Sequence, residues 1–572
     1  MNAGIQAIAV DYDGTLTDAD RPTDDLLAAV REVRRRGRAV VLVTGRILSE
    51  LRAVFPEVDE VFDAIVAENG AVLADADGVH DLAAPVDPAL ARALAHRDVP
   101  VRQGRVLLAC NAPHAATVAE ELARLGLDGQ IVRNRGALMV LPGGVTKGTG
   151  LIQALGNLGI SRHSTLAIGD AENDHHLLGV CELGVAVANA VDSLRQAADL
   201  VLEQCDGAGV ADFLRGPVIA GERPLRPSRW RLDLGIDETG NEVQVPASQI
   251  NLLIIGASCS GKSYLAGLLV EQLVRMDYSV LILDREGDHR TLAERRGILA
   301  VGGRDPLPTP VQLAALLRHR FGSIVVDLSP LAEQEERDYV ASIAPTLLAQ
   351  RAATGLPHWV FMDEAHALPL DEGPWAEAFA AAGKGFCLST YLPDQLPSEV
   401  GRSMDHLLLC AGTGTREREV LTYVEHASGT DAAELRALLG EELGHTLHFD
   451  VTDLGRPRPF RVARRSSGHV RHWHKYIDGQ LPDHLRFYFT DGGPVAGNLR
   501  EFHRHLAACR DAMITVHSQA HDFSRWIRMV IQDEDLADAI ETTERRLRGT
   551  QIDTATFRHA VQAAIETRYL DD

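Results

Sequence analysis

Two short apolar runs, residues 5–10 and 252–255, each break off into a tight polar turn. The turns are Asp11-Tyr12-Asp13-Gly14-Thr15 and Gly256-Ala257-Ser258-Cys259-Ser260-Gly261-Lys262-Ser263. A short, mostly apolar run of that length reads as a strand buried on both faces, as in a parallel sheet. Open parallel sheets build their sites just past the carboxyl ends of their strands, which is where both turns lie. The chain is thereby constrained to at least two α/β units in tandem. Its 572 residues exceed one core and correspond to about three or four domains. The 45% apolar content is ample to bury them.

Apolar runs alternate with helical patterns from residue 5 to about 213. Residues 39–43 predict a strand, and 24–36 a helix with an arginine-rich end. Between 75 and 141, Ala-rich helical text with short strands such as 106–109 predicts a cap, inserted between two halves of one core, 1–74 and 142–215. Residues 216–231 are rich in proline and arginine without an apolar period and predict a linker. Strand-like runs at 252–255, 280–283, 324–326, 359–362, 385–389 and 406–410 predict a second doubly wound sheet over 232–465. His-rich and then helical text over 466–572 predicts a small helical module.

The net charge of −23 argues against a protein wrapped in nucleic acid and confines any DNA contact to a local basic groove. Seven cysteines without a C-x-x-C pair indicate neither a disulfide framework nor a zinc knuckle. A cytoplasmic chain is expected. It shows no basic-then-apolar leader, and no run near the roughly 20 apolar residues of a spanning helix, so no membrane partner is expected.

Asp11 and Asp13, one residue apart beyond a strand, suit attack by one carboxylate and proton movement by the other. An anionic substrate beside carboxylates calls for Mg²⁺ and a cation. Asp11-Tyr12-Asp13-Gly14-Thr15-Leu16-Thr17 resembles the first motif of the haloacid dehalogenase superfamily phosphatases. Val43-Thr44-Gly45-Arg46, Lys147 in Val145-Thr146-Lys147-Gly148, and Ile168-Gly169-Asp170-Ala171-Glu172-Asn173-Asp174 resemble the next three, in order. Val187-Ala188-Asn189-Ala190 completes a pattern similar to the Cof-type branch, whose cap lies between the second and third motifs. The resemblance implies Asp11 as nucleophile, and Asp13 as general acid/base and a carbonyl metal ligand. It further implies Lys147 as the neutralising cation, Thr44, Gly45 and Asn173 at phosphate, and Asp11, Asp13, Asp170 and Asp174 around Mg²⁺. The implied substrate is a small phosphate ester.

Gly-x-x-x-x-Gly-Lys-Ser turns backbone N–H groups onto phosphate, with Lys262 on the terminal phosphates and Ser263 on Mg²⁺. Gly256, Ser258, Ser260 and Gly261 shape that cradle, and ATP is the expected ligand. Trp359-Val360-Phe361-Met362-Asp363-Glu364 ends a strand in two acids. Asp363 is suited to order the Mg²⁺ shell and Glu364 to polarise a water, which favours hydrolysis. With Leu281-Ile282-Leu283-Asp284-Arg285-Glu286-Gly287-Asp288 and Ile324-Val325-Val326-Asp327, this resembles the HerA/FtsK-like P-loop ATPases. The resemblance implies a RecA-like core, a homo-oligomer that is commonly a hexameric ring, and a neighbour's arginine finger, for which Arg402, Arg416 and Arg418 are candidates. Tyr391 stands where that family places a polar sensor, leaving Thr390 or Gln395 as substitutes.

The fold expected is therefore α/β: a Rossmann-like haloacid dehalogenase core with an α/β cap, a RecA-like P-loop domain, and a helical C-terminal module. His469, His472 and His474 lack the spacing to share one helical face. Three functions stay open: a metabolic phosphatase with an attached ATPase, a DNA-handling motor with a nucleotide or strand-end phosphatase, and a kinase–phosphatase pair.

Overall fold

The computed structural model describes residues 4–17, 19, 21–134, 136–223, 225–257, 260–303, 305–319, 322–381, 383–411, 417–440, 444–451, 457–467, 477, 481, 485–490, 492–531 and 533–570. The first sheet takes β1 (Ala7–Asp11), β2 (Ala39–Val43), β3 (Ala64–Ala67), β4 (Val72–Asp75) and β5 (Gly78–Asp81) from one stretch of chain. The chain then leaves for an antiparallel sheet of β6 (Arg102–Gln103), β7 (Leu108–Asn111), β8 (Gln130–Asn134) and β9 (Ala137–Leu141), ordered β6-β7-β9-β8. It returns with β10 (Thr165–Gly169), β11 (Leu183–Ala186) and β12 (Leu200–Val201). The spatial order β12-β11-β10-β1-β2-β3-β4-β5 puts β1 between two parallel partners contributed by opposite halves of the core.

β1 and β10 are buried at every position, so helices must cover both faces of the sheet. One of these, Asp24–Arg35, begins where the Thr23 side chain accepts from Leu26 N, and carries Asp24 and Asp25 in its first turn and Arg34 and Arg35 in its last. The excursion buries its own core, with Leu90 and Leu94 and Val118 and Leu122 from its two helices packed against Leu138 and Val140. The sequence places the start of this cap at residue 75. In the fold, β5 pairs with β4, Leu73 opposite His80 and Ala74 opposite Val79, so the core sheet continues through Asp81. β5 is largely exposed and carries no apolar run, which hides it from a sequence reading.

Residues 216–231 are more than a tether. Ile219, in the short helix Pro217–Ala220, is buried in the first core. Arg229 pairs with Asp199 at 2.9 Å, and Arg231 opens the second sheet. That sheet contains β13 (Arg231–Ile236), β14 (Glu242–Pro246), β15 (Leu252–Ile255), β16 (Val280–Asp284), β17 (Ile298–Gly302), β18 (Ser323–Asp327), β19 (Trp359–Met362), β20 (Phe386–Thr390), β21 (His406–Cys410), β22 (His445–Asp450) and β23 (Arg458–Val462). Its order is β14-β13-β23-β22-β21-β15-β20-β19-β16-β18-β17, parallel from β21 to β17 and antiparallel beyond β21. Leu253 and Ile255 face one core and Leu252 and Ile254 the other, the pattern of a sheet covered on both sides.

The C-terminal module adds a short hairpin, β24 (Phe487–Tyr488) and β25 (Val495–Ala496), to the expected helices. Its core gathers Phe487, Phe502, Phe523, Trp526 and Phe557. Trp526 Nε1 donates to Leu485 O at 2.9 Å, a core role for this indole. His469, His472 and His474 lie outside the described residues. No described helix is long and apolar enough to cross a membrane.

Candidate active sites

Asp11 is the last residue of β1 and Lys147 the first of helix Lys147–Leu158. Gly70 lets them meet. At φ 104° it packs its backbone on Thr146, the cap of that helix, and a Cβ there would lie 1.9 Å from Thr146 O. Lys147 Nζ donates to Asp11 Oδ1 at 2.5 Å and to Asp174 Oδ1 at 2.7 Å, all three side chains being buried. Asp174 is oriented through its other oxygen, which accepts from the backbone N–H of Asp170 and of Ala171, each at 3.0 Å. Thr15 Oγ1 donates to Asp170 Oδ1 at 3.1 Å.

Carboxylate oxygens of Asp11, Asp170 and Asp174 thus lie within 4.8 Å of one another. Lys147 pairs with two of these carboxylates, Asp11 and Asp174, and Asp170 adds a third buried acid. Burial, and then Asp174, push the Asp11 carboxyl well above its ordinary range despite Lys147. Burial works against the Lys147 ammonium, yet Asp11 and Asp174 hold it above its usual range. A hard, oxygen-seeking divalent cation fits this all-carboxylate set and its surplus negative charge.

Around this group, Thr44 Oγ1 accepts from Arg46 N at 3.1 Å. Asn173 Nδ2 donates to Asn69 Oδ1 at 3.0 Å, while Asn173 Oδ1 is buried without a partner. The cap closes over Gly45, where a Cβ would meet Met139 Sδ of β9 at 3.4 Å. Asp13 stands apart. Its carboxylate accepts from Arg46 Nε at 2.9 Å and from the second guanidinium nitrogen at 2.6 Å, and the guanidinium lies 4.9 Å from the Tyr12 ring centroid.

In the second sheet the turn after β15 is closed tightly. A Cβ on Gly256 would meet Ser260 Oγ at 2.3 Å and Cys410 O at 2.9 Å, and Gly261, at φ 90°, precedes helix Lys262–Arg275. Ser260 Oγ is buried without a partner. Lys262 Nζ rests on Gly256 O and Ala257 O at 3.3 and 3.2 Å, 3.8 Å from Glu364 Oε1. Ser263 is half-buried in the first turn, and Ser258 lies outside the described residues. A glycine-bounded turn, a helix N-terminus and a lysine suit a polyphosphate.

β20 stands between β15 and β19, so Asp363 and Glu364 emerge two strands from the turn. The Ser389 hydroxyl of β20 donates to Asp363 Oδ1. Glu364 is left-handed, at φ 45°, and burial raises both carboxyls above their ordinary range. Tyr391 lies under Lys262, 5.7 Å from Nζ to ring centroid, and Thr390 Oγ1 is hydrogen-bonded to His366 at 2.9 Å. Gln395 is exposed. Arg402 donates to Ser398 on its own helix, and Arg416 lies outside the described residues.

A family model described as haloacid dehalogenase-like hydrolase matches residues 8–94 and 106–214. The phosphoglycolate phosphatase of Methanothermobacter thermautotrophicus is 34% identical, over 37% of this chain and 98% of its own length. Those of Methanopyrus kandleri and Archaeoglobus fulgidus are 33% and 32% identical, over 36% and 37% of this chain and 95% and 96% of theirs. The chain belongs to the haloacid dehalogenase-like hydrolases. A second model, the central domain of helicase HerA, matches residues 246–346, so a haloacid dehalogenase-type phosphatase and a HerA central domain are fused here. The HerA match covers the turn at Gly256 and the strand ending in Asp284, and stops short of β19.

Of the residues assigned from the haloacid dehalogenase motifs, Asp11, Lys147, Asp170 and Asp174 come together, while Thr44, Gly45 and Asn173 line the ground beside them. The Asp13 carboxylate is outside the metal-competent group and is held by Arg46. The first motif contains Thr15 without a role for it, and no motif marks Met139. Asp284 and His289, which lie beside Asp363, have no assigned role in the motifs either. Asp284 carries the same signal as Asp11, an acid ending an apolar strand.

Proposed function

We propose that the first unit is a Mg²⁺-dependent phosphomonoesterase acting through an aspartyl-phosphate on Asp11. The observation that supports it best is the meeting of Asp11, Lys147, Asp170 and Asp174 at the end of β1. Asp11 attacks phosphorus, the bond from phosphorus to the ester oxygen breaks, and that oxygen takes a proton from Asp13. Asp13 then accepts a proton from a water that attacks the same phosphorus, returning Asp11 and releasing inorganic phosphate. Lys147 keeps Asp11 oriented and offsets phosphoryl charge, while Thr44 and Asn173 bind the phosphoryl oxygens. Asp11, Asp170 and Asp174, with the Asp13 carbonyl, would hold a Mg²⁺, which would supply further positive charge. The named relatives favour a small anionic ester such as phosphoglycolate, with Met139 of the cap limiting the leaving group.

The second unit is read as an ATP-binding and ATP-hydrolysing domain. Gly256, Ser260, Gly261, Lys262 and Ser263, with Ser258, cradle the phosphates, and Asp363 and Glu364 serve metal and water. One experiment tests both halves: hydrolysis of a phosphate-ester series and of ATP, with and without Mg²⁺, by the wild type, Asp11→Asn and Lys262→Ala. Asp11→Asn should lower ester kcat by about 10⁴-fold or more and spare ATP hydrolysis. Lys262→Ala should do the reverse. Ester hydrolysis that survives Asp11→Asn overturns the first reading, and ATP hydrolysis that survives Lys262→Ala overturns the second.

A further inference from the structure

β16 and β19 are parallel neighbours, with Leu283 opposite Met362, so Asp284 and Asp363 leave the sheet side by side. The chain after Asp284 turns back on itself. Asp284 Oδ1 accepts from Gly287 N at 3.0 Å and Asp288 N at 3.2 Å, and Oδ2 accepts from His289 N at 2.9 Å. That turn delivers the His289 ring to the two carboxylates, and one ligand atom from each of the three residues lies within 4.8 Å of the others.

We propose that Asp284, His289 and Asp363 form a protein-held site for a divalent first-row transition ion, of the Mn²⁺ type, that is occupied without nucleotide.

Turn-capping alone accounts for Asp284, whose three N–H partners leave about one of a carboxylate's four lone-pair sites open. It does not account for the other two residues. His289 is 2% exposed, and its Nδ1 is buried with no hydrogen-bond partner. Asp363 is 4% exposed, and its Oδ2 is likewise orphaned while Oδ1 is taken by Ser389. Orphaned buried polar atoms on two side chains of one cluster call for an ion. Neither acid has a lysine or arginine ion-pair partner among the described residues, although Lys262 lies near enough to Asp363 to favour its charged form. The nearby cations serve others, Arg290 pairing with Asp327 at 3.2 Å and Lys262 facing Glu364.

Two carboxylates and an imidazole distinguish this site from the all-oxygen group at Asp11, and the nitrogen ligand favours a transition ion over Mg²⁺. The nucleotide's own Mg²⁺ would take Ser263 and phosphate oxygens, none of which belongs to this cluster. The proposal does not depend on ATP hydrolysis, because occupancy is read without nucleotide.

The test uses the tag-free full chain, stripped of metal and then titrated with Mn²⁺ alone. Electron paramagnetic resonance counts the bound ion, and electron spin-echo modulation looks for ¹⁴N coupling. The wild type should bind two Mn²⁺ per chain and show histidine ¹⁴N modulation. Asp170→Asn should lose one ion and keep the nitrogen signal. His289→Gln should lose one ion together with that signal, and Asp284→Asn serves if His289→Gln does not fold. A wild type without ¹⁴N coupling, or a folded His289→Gln that retains it, overturns the proposal. Loss of binding only in Asp170→Asn, with no second ion in the wild type, also overturns it while leaving the phosphatase reading intact.

Discussion

Glu68 shows how one buried carboxylate fixes the cap. It is fully buried, it follows β3 at φ 51°, and its oxygens accept from the backbone N–H of Arg105, Val106 and Leu107 at 2.8, 2.9 and 3.0 Å. Those three amides lie in the turn between β6 and β7 of the cap sheet. Glu68→Ala leaves buried donors unpaired at about 1–3 kcal/mol each. We expect a loss of about 3 kcal/mol or more in urea unfolding, with a raised KM for the phosphate ester because Met139 no longer sits firmly over Gly45. Unchanged stability and KM in Glu68→Ala would remove the carboxylate from this role. Glu68→Gln should fall between, since its amide turns one donor toward the N–H groups in place of an acceptor.

Among elements, helix Lys262–Arg275 is tied to the end of the second unit by one residue. Glu271 accepts from Ser466 N and Oγ at 2.8 and 2.6 Å and from Ser467 N at 3.0 Å, and it pairs with Arg465 at 3.2 Å. Burial opposes its charge, but these donors win and hold its pKa at about 2. An unfolded Glu titrates near ~4.3. The folded value is the lower, so the stabilisation is complete above about pH 5 and is lost as pH falls towards 2. Glu271→Gln should therefore destabilise the protein at pH 7, and the difference from wild type should shrink between pH 5 and pH 3. A difference constant over that range would show that Glu271 contributes through shape and not through charge.

The elements also show what a sequence reading reaches. β1, β2, β15 and β19 were legible because strands buried on both faces are mostly apolar. β5, largely exposed, and the two-residue strands β6, β24 and β25 offer no such run. In the first site, Asp11, Lys147, Asp170 and Asp174 could be named from motifs at strand and helix ends. Met139 and Glu68 could not, since each acts across the cap boundary with no local pattern. Asp284 and His289 escaped because their meaning depends on β16 lying beside β19, an adjacency that chain order does not reveal.

At the scale of the whole molecule, the two α/β units meet at the amino ends of their parallel strands. Glu182 immediately precedes β11 and His163 lies just before β10, while Tyr278 lies just before β16, so all three sit at the amino ends of parallel strands, opposite the catalytic edges. Glu182 Oε2 accepts from Tyr278 OH at 2.8 Å and lies 2.7 Å from His163 Nδ1, whose other nitrogen is 2.6 Å from Met276 O. The His163 and Tyr278 rings stack with centroids 3.6 Å apart, and Trp230 Nε1 donates to Cys181 O at 3.1 Å. Such a placement turns the Asp11 group and the Gly256 turn away from each other, which disfavours direct passage of a phosphoryl group between them. It also makes one acid the shared acceptor of both units. Glu182→Ala leaves Tyr278 OH and His163 Nδ1 without that partner, at about 1–3 kcal/mol for each buried group left unpaired. Calorimetry should then show the joint unfolding of the wild type split into two transitions, with ester and ATP turnover at low temperature within about twofold of wild type. A single, unshifted transition in the variant would mean that the contact does not couple the units.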